Sequence, residues 1–194
     1  MLRADFATIA HWIPQDAQVL DLGCGDGALL NYLRETRGTH GYGVEISDAN
    51  VLACIKNGVN VIQMDLESGL SGFESNFFDF VVLSQTLQAM KHTETLILEM
   101  LRVGRQAIVT FPNFGYWQHR WQVMLGRMPV SETLPYRWYD TPNIHLCTLR
   151  DFEGFCRDHR LRIRDRVVMR DGKVATFLPN LTGSLAVYRI DRPS

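Results

Sequence analysis

The stretch Val19-Leu20-Asp21-Leu22-Gly23-Cys24-Gly25-Asp26-Gly27 narrows the fold more than any other part of the chain. The apolar run that ends at Leu22 predicts a β-strand. The glycines that follow predict a tight turn at which a ligand can approach the backbone. A helical pattern covers residues 29–36. Strand, glycine-rich turn and helix in this order are the unit that many α/β domains use to bind a nucleotide or nucleoside.

The charges around this turn favour one class of ligand. Gly23, Gly25 and Ala28 match the dinucleotide pattern G-x-G-x-x-A, but Asp21 and Asp26 flank them. Two carboxylates beside a pyrophosphate would repel it. S-adenosylmethionine carries an ammonium and a sulfonium group and no phosphate, so an acidic turn favours it over a dinucleotide. A structural turn without any ligand is the remaining alternative.

Alternating strand and helix patterns follow the turn. Further strands are predicted at residues 41–46, 59–64, 78–83 and 106–111. Helices are predicted between them at residues 50–57 and 93–103. This alternation predicts a parallel, doubly wound α/β sheet with right-handed crossovers.

The C-terminal part of the chain has a different pattern. Thr148 and Asp151 form a capping pair for a helix that extends to His159. Two strand patterns follow, at residues 162–169 and 185–190, with no helix between them. Consecutive strands without a crossover helix either pair antiparallel or lie apart.

Polar residues follow the second, third and fourth predicted strands. Glu45 lies about twenty residues beyond the glycines and is placed to accept both ribose hydroxyls, as in other nucleoside-binding folds. Asp65 is placed to accept the adenine amino group, and Ser84 borders the same crevice. Each residue alone is typical of a solvated turn, but together they mark the edge where open α/β sheets bind ligands. The predicted cofactor-binding residues are Asp21, Gly23, Cys24, Gly25, Glu45, Ile46, Asp65, Leu66 and Ser84.

The glycine turn, Glu45, Asp65 and the strand Phe78-Asp79-Phe80-Val81-Val82-Leu83-Ser84 together resemble the class I methyltransferase pattern. The resemblance implies a Rossmann-like α/β three-layer sandwich. Its sheet would be mostly parallel and seven-stranded, with an antiparallel last strand. The implied ligand is S-adenosylmethionine or its demethylated product, S-adenosylhomocysteine.

A closer resemblance rests on segments spread along the chain. They are Leu2-Arg3-Ala4-Asp5, Gln85-Thr86-Leu87-Gln88, Val109-Thr110-Phe111-Pro112-Asn113-Phe114, Leu134-Pro135-Tyr136 and Trp138-Tyr139-Asp140-Thr141-Pro142-Asn143-Ile144-His145. These segments are similar to the methionine biosynthesis protein MetW family. The resemblance implies a partner or activator of homoserine O-acyltransferase in making O-acylhomoserine, and it leaves methyl transfer open.

A methyltransferase acting on an unidentified small molecule is the alternative function. Methyl transfer can proceed by positioning alone, so a missing general base does not exclude it. His92, His119 and His145 are the candidate bases, and each is equally explained as a surface or hydrogen-bonding histidine. The chain contains no G-x-S-x-G elbow, so it is not itself an acyltransferase of the α/β-hydrolase type. No catalytic residue is assigned.

An aromatic-rich insert at about residues 113–148 follows the fifth predicted strand. It carries three of the four tryptophans. Trp117, Trp121, Met124 and Leu125 share one helical face. Three accounts fit this face: a helix packed on the sheet, a lid over the cofactor crevice, and a docking surface for another protein.

Four arginines recur at every second position from Arg160 to Arg166 and would form a row on one face of a strand. Such a row could bind RNA. The formal net charge of -1 instead favours a solvated face or a contact with a protein partner.

Composition sets the remaining limits. A chain of 194 residues suits one domain, 1–194. Its first twelve residues carry Arg3, Asp5 and His11, unlike a signal peptide, and no apolar run is long enough to cross a membrane. The four cysteines and six histidines are scattered, which predicts free thiols and no metal site. We therefore expect a cytoplasmic protein with a nucleoside ligand and without nucleic-acid or membrane partners.

Overall fold

The computed structural model describes residues 3–193, so Leu2, quoted above for the resemblance, lies outside the described residues. Within residues 3–193, eight strands form one sheet: β1 (Gln18–Leu22), β2 (His40–Glu45), β3 (Val61–Gln63), β4 (Phe78–Ser84), β5 (Gly104–Pro112), β6 (Arg162–Arg170), β7 (Lys173–Val174) and β8 (Leu185–Asp191). The same residues form seven α-helices: α1 (Ala4–Trp12), α2 (Ala28–Arg37), α3 (Asp48–Lys56), α4 (Thr93–Val103), α5 (Trp117–Met124), α6 (Leu149–Asp158) and α7 (Pro179–Thr182). Two 3₁₀ helices cover Leu66–Ser68 and Leu87–Ala89.

The sheet has the strand order β3-β2-β1-β4-β5-β8-β6-β7. Strands β1 to β5 pair in parallel, and β8 is antiparallel to both of its neighbours, β5 and β6. This arrangement confirms the predicted doubly wound sheet with an antiparallel last strand. The sheet has eight strands and not seven because β7 pairs with the end of β6 over two residues. A two-residue strand is too short to leave an alternating pattern in the sequence.

Two hydrophobic clusters, one on each face of the sheet, form the core. On one face, α4 and α6 pack around Phe111, Phe152 and Tyr188, whose rings lie 4.7 to 5.8 Å apart. On the other face, α1, α2 and α3 cover Val19, Ile108 and their neighbours. The result is the three-layer sandwich that the resemblance implied.

A local sequence signal sets the start of α6. The amide of Asp151 donates to Thr148 Oγ1 at 3.3 Å, and the amide of Thr148 donates to Asp151 Oδ2 at 3.1 Å. This capping box begins α6, as predicted.

Strand β3 is shorter than the sequence predicts. It covers only Val61–Gln63, so the predicted strand at 59–64 was too long and Asp65 lies two residues beyond the strand end.

Carboxylates pair with the row of arginines on β6. Arg162 and Arg164 both donate to Asp191 of β8, at 2.6 to 3.0 Å, and Arg166 donates to Glu153 of α6 at 2.6 Å. Each of these three guanidinium groups therefore has a carboxylate partner within the fold, although Arg162 and Arg164 share one carboxylate. The pairing favours the solvated-face interpretation over an RNA-binding one.

Close packing of β1 against β2 gives a test of this fold. Gly41 pairs with Val19, and a Cβ at Gly41 would overlap the backbone carbonyl of Val19. We expect Gly41→Ala to lower the free energy of unfolding by about 2–3 kcal/mol, because a backbone atom cannot move aside as a side chain can. Gly72→Ala is the matched control, since nothing lies within 4 Å of a Cβ there. Equal urea midpoints for the two variants would contradict the β1–β2 packing.

Candidate functional site

The glycine turn lies at the carboxyl end of β1, between β1 and α2. Its Gly23 and Cys24 amides donate to the carbonyl of Val44 at 2.8 and 3.1 Å, which fixes the turn to β2. Gly23 has a φ of +69°, and a Cβ there would lie 2.7 Å from Thr86 Oγ1. Only glycine combines this backbone angle with such a close approach to the chain after β4.

Glu45 joins the end of β2 to the glycine turn. It is 8% exposed, and its Oε2 accepts the Gly25 amide at 2.9 Å. Its Oε1 accepts the amides of Ile46 and Ser47, each at 2.9 Å. A carboxylate has about four acceptor positions, so one remains for a ligand hydroxyl. The role of Glu45 toward a ribose stays a prediction, but its structural role in shaping the turn is evident.

Asp21 is the electrostatic centre of the site. Its side chain is buried at 2% exposure, and its Oδ1 has no hydrogen-bond partner within residues 3–193. Burial raises the pKa of Asp21 to about 7; the Arg3 guanidinium opposes the rise, and the Asp5 and Glu45 carboxylates add to it. A carboxylate held in this way gains most from a cationic group, because a buried charge without a partner is costly.

A polar cluster from the N-terminus covers Asp21, and the sequence reasoning missed it. Arg3 Nη2 donates to Asp5 Oδ2 and to Ser84 Oγ, both at 2.6 Å. Asp5 is fully buried, and Ser84 Oγ lies 3.2 Å from Thr110 Oγ1. The sequence shows two opposite charges, Arg3 and Asp5, at the start of an apolar helix. They contribute to the family resemblance and argue against a signal peptide, but they do not indicate a place in the site.

A cavity of about 500 Å³ opens between the glycine turn and α1. Five of the nine predicted cofactor-binding residues line it: Asp21, Gly23, Cys24, Gly25 and Ser84. Arg3, Phe6 and Leu29 complete much of the wall. The cavity therefore combines a buried carboxylate, a guanidinium group and an apolar wall at the carboxyl edge of the sheet.

The other four predicted residues, Glu45, Ile46, Asp65 and Leu66, lie beside this cavity, at and just after the ends of β2 and β3. The Met64 amide donates to the carbonyl of Glu45 at 3.0 Å, which places the end of β3 next to the end of β2. Asp65 is exposed, and its Oδ1 accepts the Glu67 amide at 2.9 Å as the cap of a 3₁₀ helix. Ile46 is 60% exposed, whereas Leu66 is buried. The adenine-binding role of this group stays a prediction.

The three candidate histidines do not meet at the cavity. His119 is fully buried in α5 and bonds the carbonyl of Asn113 at 3.1 Å and Ser131 Oγ at 2.8 Å. Burial lowers the pKa of His119. His92 and His145 line a second cavity of about 500 Å³ at the start of α4, floored by Phe111 and Phe152. His119 is thus a structural residue of the insert.

The insert presents its aromatic face to solvent. In α5 only His119 is buried. Trp117, Trp121, Met124 and Leu125 are 46%, 55%, 76% and 59% exposed. The account in which this face packs on the sheet is therefore wrong, and the lid and docking accounts remain.

Two kinds of feature are absent from residues 3–193. No helix in that range is long and apolar enough to cross a membrane. In the same range, no group of three or more His, Cys, Asp or Glu side chains is arranged to hold a metal ion.

Comparison with known proteins points to one family. A family model described as methionine biosynthesis protein MetW matches residues 3–190. A bifunctional methionine biosynthesis protein MetXA/MetW from Rhodopirellula baltica is 42% identical over 160 residues, which are 77% of this chain and 26% of the relative. The chain thus spans about a quarter of the length of that curated relative.

Solved structures share the fold. An S-adenosylmethionine-dependent methyltransferase from Mesorhizobium loti matches with a TM-score of 0.73, covering 98% of both chains at 15% identity. One from Archaeoglobus fulgidus matches with a TM-score of 0.68, covering 96% of this chain and 92% of its own at 14% identity. At these identities the likeness establishes a class I methyltransferase fold and no more.

The raised pKa of Asp21 gives a pH-dependent prediction. In the folded protein this pKa is about 7, against an ordinary 3.8. Between about pH 4 and 7 the folded protein therefore keeps a proton that the unfolded chain has released, so the stability that Asp21 contributes is lost as the pH rises. We expect Asp21→Asn to exceed the parent in unfolding free energy by up to about 4 kcal/mol at pH 8 and by little at pH 4.5.

The matched control is Asp26→Asn, which changes an exposed carboxylate in the same turn. Its difference from the parent should be small, because an asparagine keeps an oxygen that can accept the Ala28 amide. Urea unfolding at both pH values makes the comparison. Parallel pH profiles for the parent and Asp21→Asn would show that Asp21 titrates normally.

Proposed function

The chain belongs to the methionine biosynthesis protein MetW family, and from that membership we propose that it acts as a partner or activator of homoserine O-acyltransferase, with S-adenosylmethionine or S-adenosylhomocysteine as its ligand. The observation that carries the partner role is the R. baltica relative, whose name joins MetXA and MetW in one chain. We take MetXA to be the acyltransferase. When two domains are fused in one organism, the corresponding separate proteins of another organism are good candidates for binding each other.

The cavity supports the ligand half of the proposal by its charges. The amino-acid part of S-adenosylmethionine has an ammonium and a carboxylate. In our assignment the ammonium approaches Asp21, whose buried Oδ1 has no hydrogen-bond partner within residues 3–193. The carboxylate approaches Arg3, whose side chain is 40% exposed and whose five N–H donors exceed its present bonds. The lining holds one guanidinium group, Arg3, and two carboxylates, of which Asp21 is buried and Asp26 is exposed. Opposite charges at a single cavity suit a zwitterion.

The rest of the ligand follows the carboxyl edge of the sheet. The backbone of Gly23 and Gly25 lies against the amino-acid part, Glu45 holds the ribose, and Asp65 holds the adenine amino group. When bound, S-adenosylmethionine supplies an electrophilic methyl group. A ligand derived from methionine also reports the end product of the pathway, which suits a regulatory partner.

The exposed face of α5 is our candidate for the contact with the acyltransferase. Large aromatic and Met side chains carry much of the binding energy at protein interfaces. Trp121 and Met124 are more than half exposed, and Trp138 of the same insert is 74% exposed. A monomeric domain rarely leaves such side chains grouped in water. A protein partner would remove this apolar area from solvent.

The second cavity favours the alternative function, a small-molecule methyltransferase. It has an apolar floor of Phe111 and Phe152 and a rim that includes His92 and His145. Leu87 and Gln88 line it, and they lie a few residues beyond Ser84 of the cofactor cavity. An acceptor bound there would lie beside the segment that follows β4, which also borders the first cavity at Ser84. Methyl transfer to such an acceptor requires both cavities to be filled together.

The ligand assignment predicts two distinct mutational effects. Arg3→Met should weaken S-adenosylhomocysteine about 10-fold or more, because a charge-assisted hydrogen bond is worth about 1.5–3 kcal/mol. It should not change the binding of 5′-methylthioadenosine, which has no amino-acid part. Glu45→Gln should weaken both ligands. Calorimetry of each variant with each of the two ligands checks this pattern, and thermal melting confirms that both variants are folded. An equal loss of both ligands in Arg3→Met would remove Arg3 from carboxylate binding.

The partner assignment predicts a change in acyltransferase rate. Homoserine O-acyltransferase from the same organism should co-elute with this protein and change its rate at least threefold. The double variant Trp121→Ser/Met124→Ser should lose both effects while keeping its melting temperature and its ligand affinity. Phe177→Ser is the control, because Phe177 is 75% exposed outside the insert. Unchanged rates without co-elution for the parent would reject the partner role and favour the methyltransferase alternative.

A further inference from the structure

Two cysteine side chains meet at the glycine turn. The sulfur atoms of Cys24 and Cys54 lie 3.7 Å apart, and both thiols are free. Cys24 stands between two glycines of the turn, whereas Cys54 belongs to the last turn of α3. Their exposed fractions are 8% and 0%. The contact thus joins the proposed ligand-binding loop to a helix of the scaffold.

We propose that Cys24 and Cys54 are a redox modification site, at which a peroxide forms an intramolecular disulfide that disables the glycine turn for ligand binding. The inference rests on the proposed ligand site. Cys24 Sγ attacks one peroxide oxygen, and the O–O bond breaks to give a sulfenic acid and water. Cys54 Sγ then attacks the Cys24 sulfur and releases a second water. Each thiol loses one electron, and hydrogen peroxide is reduced to two waters.

Access to the two sulfurs differs in a way that fixes their roles. Cys24 lines the cofactor cavity, so a small oxidant reaches it from there. Cys54 has no exposed surface, and its Sγ lies 3.1 Å from the Gly25 carbonyl. Cys24 is therefore the residue that is oxidised first, and Cys54 is the one that resolves the sulfenic acid. A ligand in the cavity covers Cys24 and slows the reaction.

The environment of the pair keeps it reduced under ordinary conditions. Burial is the main cause that raises the pKa of both thiols, and the nearby carboxylates of Asp21 and Glu45 add to it. Thiolate is the reactive form, so the reaction is slow and needs a sustained peroxide concentration. Such a pair responds to oxidative stress and not to small changes in the thiol pool.

We expect closing of the disulfide to draw the glycine turn toward α3. A disulfide is about 2.05 Å long, so the sulfurs approach each other by roughly 1.6 Å. Cys54 is held by its helix, whereas Cys24 belongs to a turn that is joined to β2 by the hydrogen bonds of the Gly23 and Cys24 amides to the Val44 carbonyl. We expect the strain of the closed disulfide to fall on these hydrogen bonds. The Gly25 amide donates to Glu45 Oε2 at 2.9 Å. Movement of the neighbouring Cys24 would break this hydrogen bond. The backbone that would face the ligand is then out of place.

The test treats the full chain with excess hydrogen peroxide and reads the product by mass. We expect a loss of two hydrogens from the intact protein and a peptide linked through Cys24 and Cys54. S-adenosylhomocysteine binding should weaken at least tenfold and recover with dithiothreitol. In Cys54→Ser, Cys24 stops at the sulfenic acid, so this variant should form no linkage and peroxide should leave its Gly25 amide exchange unchanged. Cys54→Ala is a second variant if serine disturbs the fold. Cys156→Ser, buried in α6, should respond like the parent.

Two readouts separate this proposal from the ligand assignment. Mass detects the linkage without any ligand, and hydrogen exchange of the Gly25 amide detects movement of the turn. A reduced parent that does not bind S-adenosylhomocysteine would reject the proposed ligand. The redox site is rejected if the Cys24–Cys54 linkage does not form. It is also rejected if the linkage forms and leaves both the Gly25 exchange and the affinity unchanged.

Discussion

The buried carboxylate of Asp21 is the constraint on which the rest of the site depends. It lies in a strand covered on both faces, and its Oδ1 has no hydrogen-bond partner in the described part of the chain. A charge held in this way costs several kcal/mol unless an opposite charge reaches it. The glycine turn, Arg3 and Ser84 border the space from which such a charge can enter. In our proposal the ammonium group of the ligand adds a second positive charge to the Arg3 guanidinium that already lines this cavity.

Local patterns predict most of this fold but only part of the site. Helix Thr93–Val103 and the capping box at Thr148 follow from periodicity and short-range hydrogen bonding, so the sequence displays them directly. The contact of Arg3 with Ser84 joins residues 81 positions apart and leaves no periodic signal. The face of α5 shows a second limit, because an apolar stripe is the same in sequence whether it packs on the sheet or faces solvent.

In our proposal, a member of the MetW family with the methyltransferase fold combines a ligand site and a protein contact in one domain. The proposed ligand-binding residues are concentrated at the carboxyl edge of β1 and β2, and the exposed aromatic residues lie in the insert after β5. Strand β5 is bonded to β4, whose end carries Ser84 of the cofactor cavity. In our proposal a ligand at one end of this edge and a protein at the other are linked through the same central strands.

Direct titration of the Asp21 carboxyl group tests the central claim most closely. Carbon-detected NMR on protein labelled at aspartate carboxyl carbons, with Asp21→Asn to assign the signal, gives this pKa with and without S-adenosylhomocysteine. We predict a midpoint near pH 7 for the protein alone and a midpoint below about pH 5 when the ligand is bound, because the ammonium group favours the ionised carboxylate. A midpoint near the ordinary value of 3.8 in both samples would contradict the account.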